Sequence, residues 1–533
     1  MRLFAALLDR LVYTPQRNGK LRLMVDYFRH APDPDRGWAL AALSEGLAFR
    51  GAKPALIRAL VEARTDPVLF RWSYDYVGDL AETVALIWPE RPGANREPSL
   101  HEVVEALRGA GRSEVPGLLE RWLDALEPTE RWALLKLITG GLRVGVSARL
   151  AKTALAELGG QEVAEIEEIW HGLEPPYGAL FAWLEGRGDK PEPGEAAAFR
   201  PLMLATPLEK QEVEALPFAD YLAEWKWDGI RVQLVARGGE RRIFSRTGDD
   251  IGGAFPDILE ALDFEATLDG ELLVVRPGPN GGPDGSPEEV APFNDLQQRL
   301  NRKTVSAKLL QAHPAHVRLY DILFEGAEDL RALPLLPRRA RLEAFLARER
   351  PRRLDLSPLI DFASMEELKA LREAARDNGI EGLMLKRKDS PYLAGRPKGP
   401  WYKWKRDPLV ADCVLMYAQR GHGKRSSFYS DYTFGAWTEA EELVPVGKAY
   451  FGFTDEELKR LDKWVRDHTT ERFGPVRAVE PGLVLEVAFD AVQPSTRHKS
   501  GLAMRFPRVS RIRWDKPAEE ADRVETLRGL VEG

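Results

Sequence analysis

Apolar residues in the first 195 or so positions recur every three or four residues, and strand-like alternation is nearly absent. Leu118, Leu119, Trp122, Leu123 and Leu126 follow this spacing, which places one apolar stripe along a helix. Just upstream, Ser99-Leu100-His101-Glu102 fits a capping box ahead of Val103, Val104 and Leu107. The run from Leu135 to Ser147 breaks the pattern with Gly140, Gly141, Arg143 and Gly145. Such a stretch ends a helix and brings backbone amides close to a partner, and amides at a helix N-terminus hold phosphate well. A plain helix-helix connection fits it equally. Gly186 to Gly194, with Pro191 and Pro193, reads as a linker.

From about Arg200 short strands alternate with helices. Ile230, Val232 and Leu234 share one face of a strand that follows Glu224-Trp225-Lys226-Trp227-Asp228-Gly229, so Lys226 is expected on a turn leading into a sheet edge. Aromatic walls and partial burial would there make its amine a nucleophile. Ile243 to Gly248 reads as a strand ending in a polar turn. Ala266 to Val275 reads as a strand pair or one bulged strand. Arg276 to Glu289 is a Gly/Pro-rich loop, and Phe293 to Leu310 reads as helix. His316 to Leu323 is a further strand. Ser364-Met365-Glu366-Glu367 is a capping box opening a helix that ends at Asn378-Gly379, before a strand from Ile380 to Lys386. In Trp401 to Arg406 a strand would put Lys403 and Lys405 on one face.

From Leu409 the pattern is strand again: Val410 to Tyr417 and Tyr432 to Trp437 about a Gly421-His422-Gly423-Lys424 turn, then Leu483 to Phe489 and Arg505 to Trp514. One helix, capped at Thr454-Asp455-Glu456-Glu457, interrupts them. That content suits a small Greek-key barrel.

A chain of 533 residues exceeds one core, so two to four domains are expected. No apolar run approaches the roughly 20 residues that cross a bilayer, and Asp9 and Arg10 cut the first apolar run short of a signal-peptide core. The expectation is a soluble cytoplasmic protein. One cysteine, Cys413, excludes an intramolecular disulfide and a cysteine-rich zinc site. The net charge of −7 argues mildly against nucleic acid, but its distribution reverses the argument. Lys386 to Arg406 holds eight basic residues against Asp389, and Arg497 to Lys516 holds seven against Asp515. Two concentrated basic stretches suit a phosphate-rich ligand, and two solvated faces would look the same.

A lysine nucleophile, carboxylates at strand ends and separate basic strands together suggest phosphoryl chemistry. Gly421-His422-Gly423-Lys424 fails the G-x-x-x-x-G-K-[ST] pattern, which makes a P-loop hydrolase the poorer reading. A lysine attacking a nucleotide's α-phosphate would form a phosphoramidate, with cations neutralising the oxygens. Glu271 and Glu381 suit Mg²⁺ better than any histidine here, because that ion prefers oxygen.

Seven short motifs carry a resemblance, in this order: Lys226-Trp227-Asp228-Gly229, Ser245-Arg246-Thr247-Gly248, Leu268-Asp269-Gly270-Glu271, Leu319-Tyr320-Asp321, Glu381 to Lys386, Lys403-Trp404-Lys405, and Arg505-Phe506-Pro507-Arg508 with Arg513-Trp514-Asp515-Lys516. Each alone is weak, but together the sequence resembles an ATP-dependent DNA ligase of the covalent nucleotidyltransferase superfamily. The helical front block and Gly140 to Gly145 resemble the DNA-binding domain of such ligases. The resemblance implies a multi-domain chain: an all-α domain at 1–198, an α+β nucleotidyltransferase (ATP-grasp-like) domain at 199–407, and a C-terminal β-barrel OB-fold at 408–533.

By matching position, the resemblance implies that Lys226 is adenylated, that Glu224 and Arg231 contact adenine and ribose, and that Tyr320 stacks on adenine. Arg246 would contact the nucleotide or nick phosphate. Glu271 and Glu381 would organise metal and ribose, while Lys403 and Lys405 would bind the α-phosphate. Arg505, Asp515 and Lys516 would orient pyrophosphate, and Gly140, Gly141, Arg143 and Gly145 would meet DNA. Arg396 also falls among the nucleotide-binding positions, but Pro397 follows it where the family often has paired basic residues nearer the tryptophan, which leaves its role open. ATP and Mg²⁺, with Mn²⁺ as an alternative, would be the cofactors. Nicked duplex DNA would be the substrate of a nucleoid-associated monomer working with repair or replication proteins. A hinge is expected near Arg406-Asp407-Pro408. The rival readings are an RNA ligase, an mRNA-capping guanylyltransferase and a catalytically dead DNA-binding module.

Overall fold

The computed structural model describes all residues except 45, 48, 50–52, 90–95, 193–196, 278–287, 301, 303, 376–379, 422–428, 451 and 532–533. The turn at Gly421 to Lys424, the helix end at Asn378-Gly379 and most of the loop from Arg276 to Glu289 therefore lie largely outside the described residues. The chain forms two compact units, one of residues 1–163, 174–190 and 408–532, the other of 164–173 and 191–407.

The first unit begins with helices from Arg2–Tyr13 through Ala148–Gly159 and includes Gly178–Leu184, and the first strand among the described residues is Thr206–Pro207. The predicted capping box is present: the Glu102 amide donates to the Ser99 hydroxyl at 3.3 Å, and the Ser99 amide to the Glu102 carboxylate at 2.7 Å. Loss of such a cap costs about 1 kcal/mol. The unit's second part is a sheet whose centre, Leu409–Arg420, pairs with Tyr429–Trp437, Val476–Val479 and Val484–Phe489. A separate hairpin joins Ala491–Pro494 to Leu502–Arg505. Arg505 to Trp514 is thus two strands, because Arg505 ends one and Arg508 begins Arg508–Arg513. The helix Asp455–Asp467, with its capping box at Thr454, buries Leu461 and Val465 against this sheet. Cys413 is buried in the same core, which pushes its thiol pKa up.

Two sheets make the second unit. One has the order Thr206–Pro207, Trp401–Lys405, Gly382–Arg387, Tyr221–Trp225, Leu359–Ile360. The other runs Glu240–Ser245, Ile230–Arg237, Ala266–Pro277, Ala315–Glu325, Glu328–Asp329, with two short strands added. Val232 and Leu234 enter the second sheet's core with Ile230 packed beside them, as alternation predicts. Ala266–Pro277 is one strand with register shifts at Thr267/Leu268 and Asp269/Gly270, the bulged alternative.

Other expectations change. Phe293 to Leu310 holds Phe293–Gln297 and the start of Ala307–Ala312, because Arg299 between them turns its guanidinium into the core to bond Asp257 and the Ala254 carbonyl. Ser364 caps its helix, but Glu367 reaches the amide of Ala363 instead of Ser364, so the reciprocal half is displaced by one residue. Segment 164–173 packs with this unit through Glu168, which accepts from Arg200 at 2.7 Å and Arg331 at 2.9 Å.

Candidate active site

Lys226 does not lead into a sheet edge. It lies between Tyr221–Trp225, an inner strand of the first sheet, and Ile230–Arg237, an inner strand of the second, so the connection crosses from sheet to sheet. The tryptophans do not wall the lysine either. Trp225 and Trp227 are buried in the apolar core, with the Trp227 indole donating to Ser357 at 3.1 Å. Alternation then turns the side chain between them the opposite way. The groups set beside its ammonium are charged.

Its ammonium donates to Glu381, which Lys405 also approaches at 3.3 Å. Backbone bonds fix this register: the Lys226 amide donates to the Gly382 carbonyl at 2.8 Å, and the Glu381 amide to the Lys226 carbonyl at 3.0 Å. Gly382 has φ +138°, and a Cβ there would sit 2.3 Å from the Trp404 carbonyl oxygen, so glycine alone lets the strands close in. Gly229 has a similar reason. A Cβ on it would meet the Leu272 carbonyl at 2.5 Å and the Glu271 side chain at 2.8 Å.

The two sheets face each other around this point. Strand pairing aligns Glu224, Met384 and Lys403 on one side, with Lys386 opposite Trp401 two residues on. From the other sheet, Arg231 forms a two-pronged ion pair with Asp269 (3.0 and 2.6 Å) and donates to the Met203 carbonyl at 2.7 Å. Tyr392 donates to the same Asp269 at 2.6 Å. The Arg231 guanidinium lies 5.7 Å from the ring centres of both Tyr320 and Trp401. Asp321, next to Tyr320, is buried and takes two bonds from buried Arg338 (2.8 and 2.9 Å), an anchor for the strand that carries Tyr320. Removing one member of such a pair typically costs about 3–5 kcal/mol.

Charge sorts the carboxylates. Burial alone would raise Glu381, but Lys226 and Lys405 overcome it and hold the group near pKa about 2. Glu271 goes the other way: burial, helped by Glu381 and Asp269, outweighs Lys226 and Arg231 and lifts it to about 8. At pH 7 its ionisation therefore costs on the order of 1 kcal/mol, an amount that a cation at contact distance readily offsets. Burial lowers the Lys403 pKa, and the charges of Arg396, Lys226, Lys405 and Arg246 push it further down. These five cations share one region, which brings Arg246 and Arg396, both exposed, toward the lysine cluster.

The raised Glu271 has a stability consequence. Its folded pKa lies above the ordinary 4.5, so the folded state holds an extra proton between about pH 4.5 and 8, and stability falls as pH rises through that window. Glu271→Gln is expected to match the parent's unfolding free energy near pH 5 and exceed it at pH 8, by a margin on the order of 3 kcal/mol, as read by chemical denaturation. A margin independent of pH would mean that the carboxyl is not titrating in the pocket.

Two residues escaped the sequence reading, one in this cleft and one in the first unit. Lys386 is buried and donates to Glu224 at 2.9 Å, with its ammonium 4.3 Å from the Tyr320 ring centre. It closes one motif, but nothing in its spacing showed that it turns inward. Asp412 is the other: it receives Lys516 at 2.7 Å and Arg513 at 3.4 Å, while Arg513 also holds Asp515 at 3.1 and 3.0 Å. Arg505, Asp515 and Lys516 belong to the first unit, as do Gly140, Gly141, Arg143 and Gly145. In that glycine stretch Gly140, Arg143 and Gly145 have φ of +72°, +48° and +67°, and the preceding helix is Pro128–Ile138. Among the described residues no three or more His, Cys, Asp or Glu side chains gather as a metal site.

The family model for the ATP dependent DNA ligase domain matches residues 202–405, the stretch that holds the cleft, and that for the ATP dependent DNA ligase C terminal region matches 425–516. A DNA ligase 1 of Korarchaeum cryptofilum is 32% identical across 99% of this chain and 97% of its own. A probable DNA ligase of Koribacter versatilis is 38% identical over 74% of this chain and 70% of its own. The solved structure titled Pmar-Lig_PreS3 shares the fold, with a TM-score of 0.61 at 16% identity over 96% of this chain and 99% of that one. The chain belongs to the ATP-dependent DNA ligases. Among the described residues no helix is long and apolar enough to cross a membrane.

Proposed function

We propose that the protein seals 5′-phosphate/3′-hydroxyl nicks in duplex DNA in three steps, with Lys226 as the nucleophile. The observation that carries this is the Lys226 ammonium held on Glu381 beside Lys403 and Lys405, at the join of two facing sheets. In the first step the free Lys226 amine forms a P–N bond to the α-phosphorus of ATP, and pyrophosphate leaves with the broken anhydride bond. Lys403 and Lys405 neutralise the α-phosphate oxygens. Arg231 and Glu224 contact ribose and adenine, and Tyr320 offers its ring to the base. In the second step AMP passes to the 5′-phosphate of the nick, releasing Lys226. In the third the 3′-hydroxyl displaces AMP. Arg246 and Arg396 are the exposed cations placed to meet phosphate of the nucleotide or nick.

Glu271 and Glu381 fit a divalent ion that takes oxygen donors and keeps several waters, as Mg²⁺ does and Mn²⁺ can. Bound there, the ion would supply positive charge at the phosphates. We assign residues 1–198 to a DNA-binding domain, 199–407 to the nucleotidyltransferase and 408–533 to an OB-fold. Gly140, Gly141, Arg143 and Gly145 are the DNA-facing loop. The front helical block favours a DNA ligase over an RNA ligase or a capping enzyme. The cleft's complete charge set speaks against a dead binding module. Incubation with labelled ATP and Mg²⁺ tests the reading: acid-stable AMP linked to lysine should appear, and labelling by GTP instead would favour capping.

A fragment beginning at Pro191 keeps Ala197 and Phe199, which are buried in the core of the second unit. It is expected to self-adenylate, yet to bind nicked duplex at least about tenfold more weakly and with a shallower salt dependence, because phosphate contacts are lost. Equal binding and sealing by the fragment would remove the front block from the DNA-binding role.

A further inference from the structure

We infer that Lys20 is a positioning residue that sets the conformation of the Arg143 loop and so presents it to DNA phosphate. This rests on the assignment of Gly140 to Gly145 as the DNA-facing loop. Lys20 belongs to the helix Arg17–His30, far from the loop in sequence, and is only 8% exposed. Its ammonium donates to two consecutive carbonyls, Val144 at 2.5 Å and Gly145 at 3.0 Å. A buried ammonium is expensive unless bonded, and here main-chain oxygens of the loop share in the compensation.

The two bonds orient two peptide planes. Both peptides are trans, since the cis bonds of the described chain are Asp33-Pro34 and Pro175-Pro176. In a trans peptide the N–H points opposite to the C=O, so the amides of Gly145 and Val146 point away from the ammonium. Successive amides turned to one side after a left-handed residue make a concavity suited to an anion. The helix Ala148–Gly159, capped by Ser147, begins directly after them and adds its positive end. Exposed Arg143 and Arg149 flank the stretch, and both line a cavity of about 1000 Å³ with Arg17, Lys20 and Lys136, and with Glu82 and Asp79, which accepts from Lys136.

The loop has reason to need a clamp. Arg143 holds a left-handed backbone at φ +48°, a conformation that costs a non-glycine residue on the order of 1 kcal/mol. Gly145 at φ +67° approaches Lys20 so closely that a Cβ would lie 2.4 Å from its nitrogen. Lys20 thus acts through the loop, without any requirement to touch DNA itself.

The test is a double-mutant cycle in the full-length chain, reading affinity for a fluorescent nicked duplex across a salt series. Lys20→Met and Arg143→Ala are each expected to weaken binding by about tenfold and to flatten the salt slope. The double variant should be no weaker than the worse single one, because both remove the same loop contact. Lys20→Arg, which keeps donors and charge, should recover most of the affinity. Parent-like binding by Lys20→Met, or additive losses in the double variant, overturns the inference. Parent-like binding by Arg143→Ala overturns the DNA-facing assignment beneath it, a separate result. If Lys20→Met melts below the assay temperature, Lys20→Leu, which donates to neither carbonyl, is assayed at a lower temperature and held to the same criteria.

Discussion

Lys226→Ala is expected to lose AMP labelling by at least about a thousandfold, while closing a pre-adenylated nick at a rate within about tenfold of the parent. The asymmetry follows from which bonds the amine makes. In the proposed scheme the first step builds a P–N bond on Lys226 and the second breaks it, whereas the third joins a DNA hydroxyl to a phosphate already carrying AMP. Lys226 also neutralises Glu381 together with Lys405, so its loss leaves that carboxylate with one cation partner fewer. Lys226→Arg separates the two roles, because the guanidinium can still pair with Glu381 but is a far poorer nucleophile. It should label no better than alanine while closing pre-adenylated nicks at a rate closer to the parent. Undiminished labelling in either variant would remove Lys226 from the chemistry. Equal loss of pre-adenylated closure in both would mean that the amine is needed beyond the nucleophilic step.

Fold and site were legible in the sequence to unequal degrees, for physical reasons. Capping boxes at Ser99 and Thr454 were readable because their bonds span three residues, and strand faces such as Val232 and Leu234 because alternation is local. Motif order brought Lys226, Glu271, Glu381 and Lys403 to one cleft, although they are spread over some 180 positions. Misreadings arose where a distant partner decides. Trp225 and Trp227 looked like walls of a lysine pocket, but the core beyond the strand claims both. Arg299 breaks a helical pattern because Asp257 and the Ala254 carbonyl draw it inward. Lys386, Lys20 and Asp412 share one difficulty: each is a charge whose meaning lies in a partner at least 100 residues away. Composition marked the basic stretch at Lys386 to Arg406, yet could not separate buried Lys386 from exposed Lys405.

Asp515→Ala and Lys516→Ala are expected to slow lysine adenylation by about a hundredfold each, while changing closure of a pre-adenylated nick by less than about threefold. In the proposed scheme pyrophosphate leaves only in the first step, so groups proposed to orient it would have no work in the last. The structure adds a condition to this proposal. Lys516 is bonded to Asp412 at 2.7 Å, which raises its pKa, and Asp515 is held by Arg513, which lowers its own. Both residues therefore stay charged at neutral pH, and their directions are set by Asp412 and Arg513. Asp412→Asn separates orientation from charge: Lys516 keeps its ammonium but loses its ionic tether. If Lys516 acts as a directed donor, Asp412→Asn should slow adenylation by roughly tenfold and leave pre-adenylated closure unchanged. If bulk positive charge alone mattered, Asp412→Asn would be neutral or slightly faster, since one negative group is gone. Single-turnover kinetics of the two steps on the same preparations decides between these. Matching losses in both steps for Asp515→Ala and Lys516→Ala would instead mark a folding defect of the C-terminal sheet and end the pyrophosphate assignment.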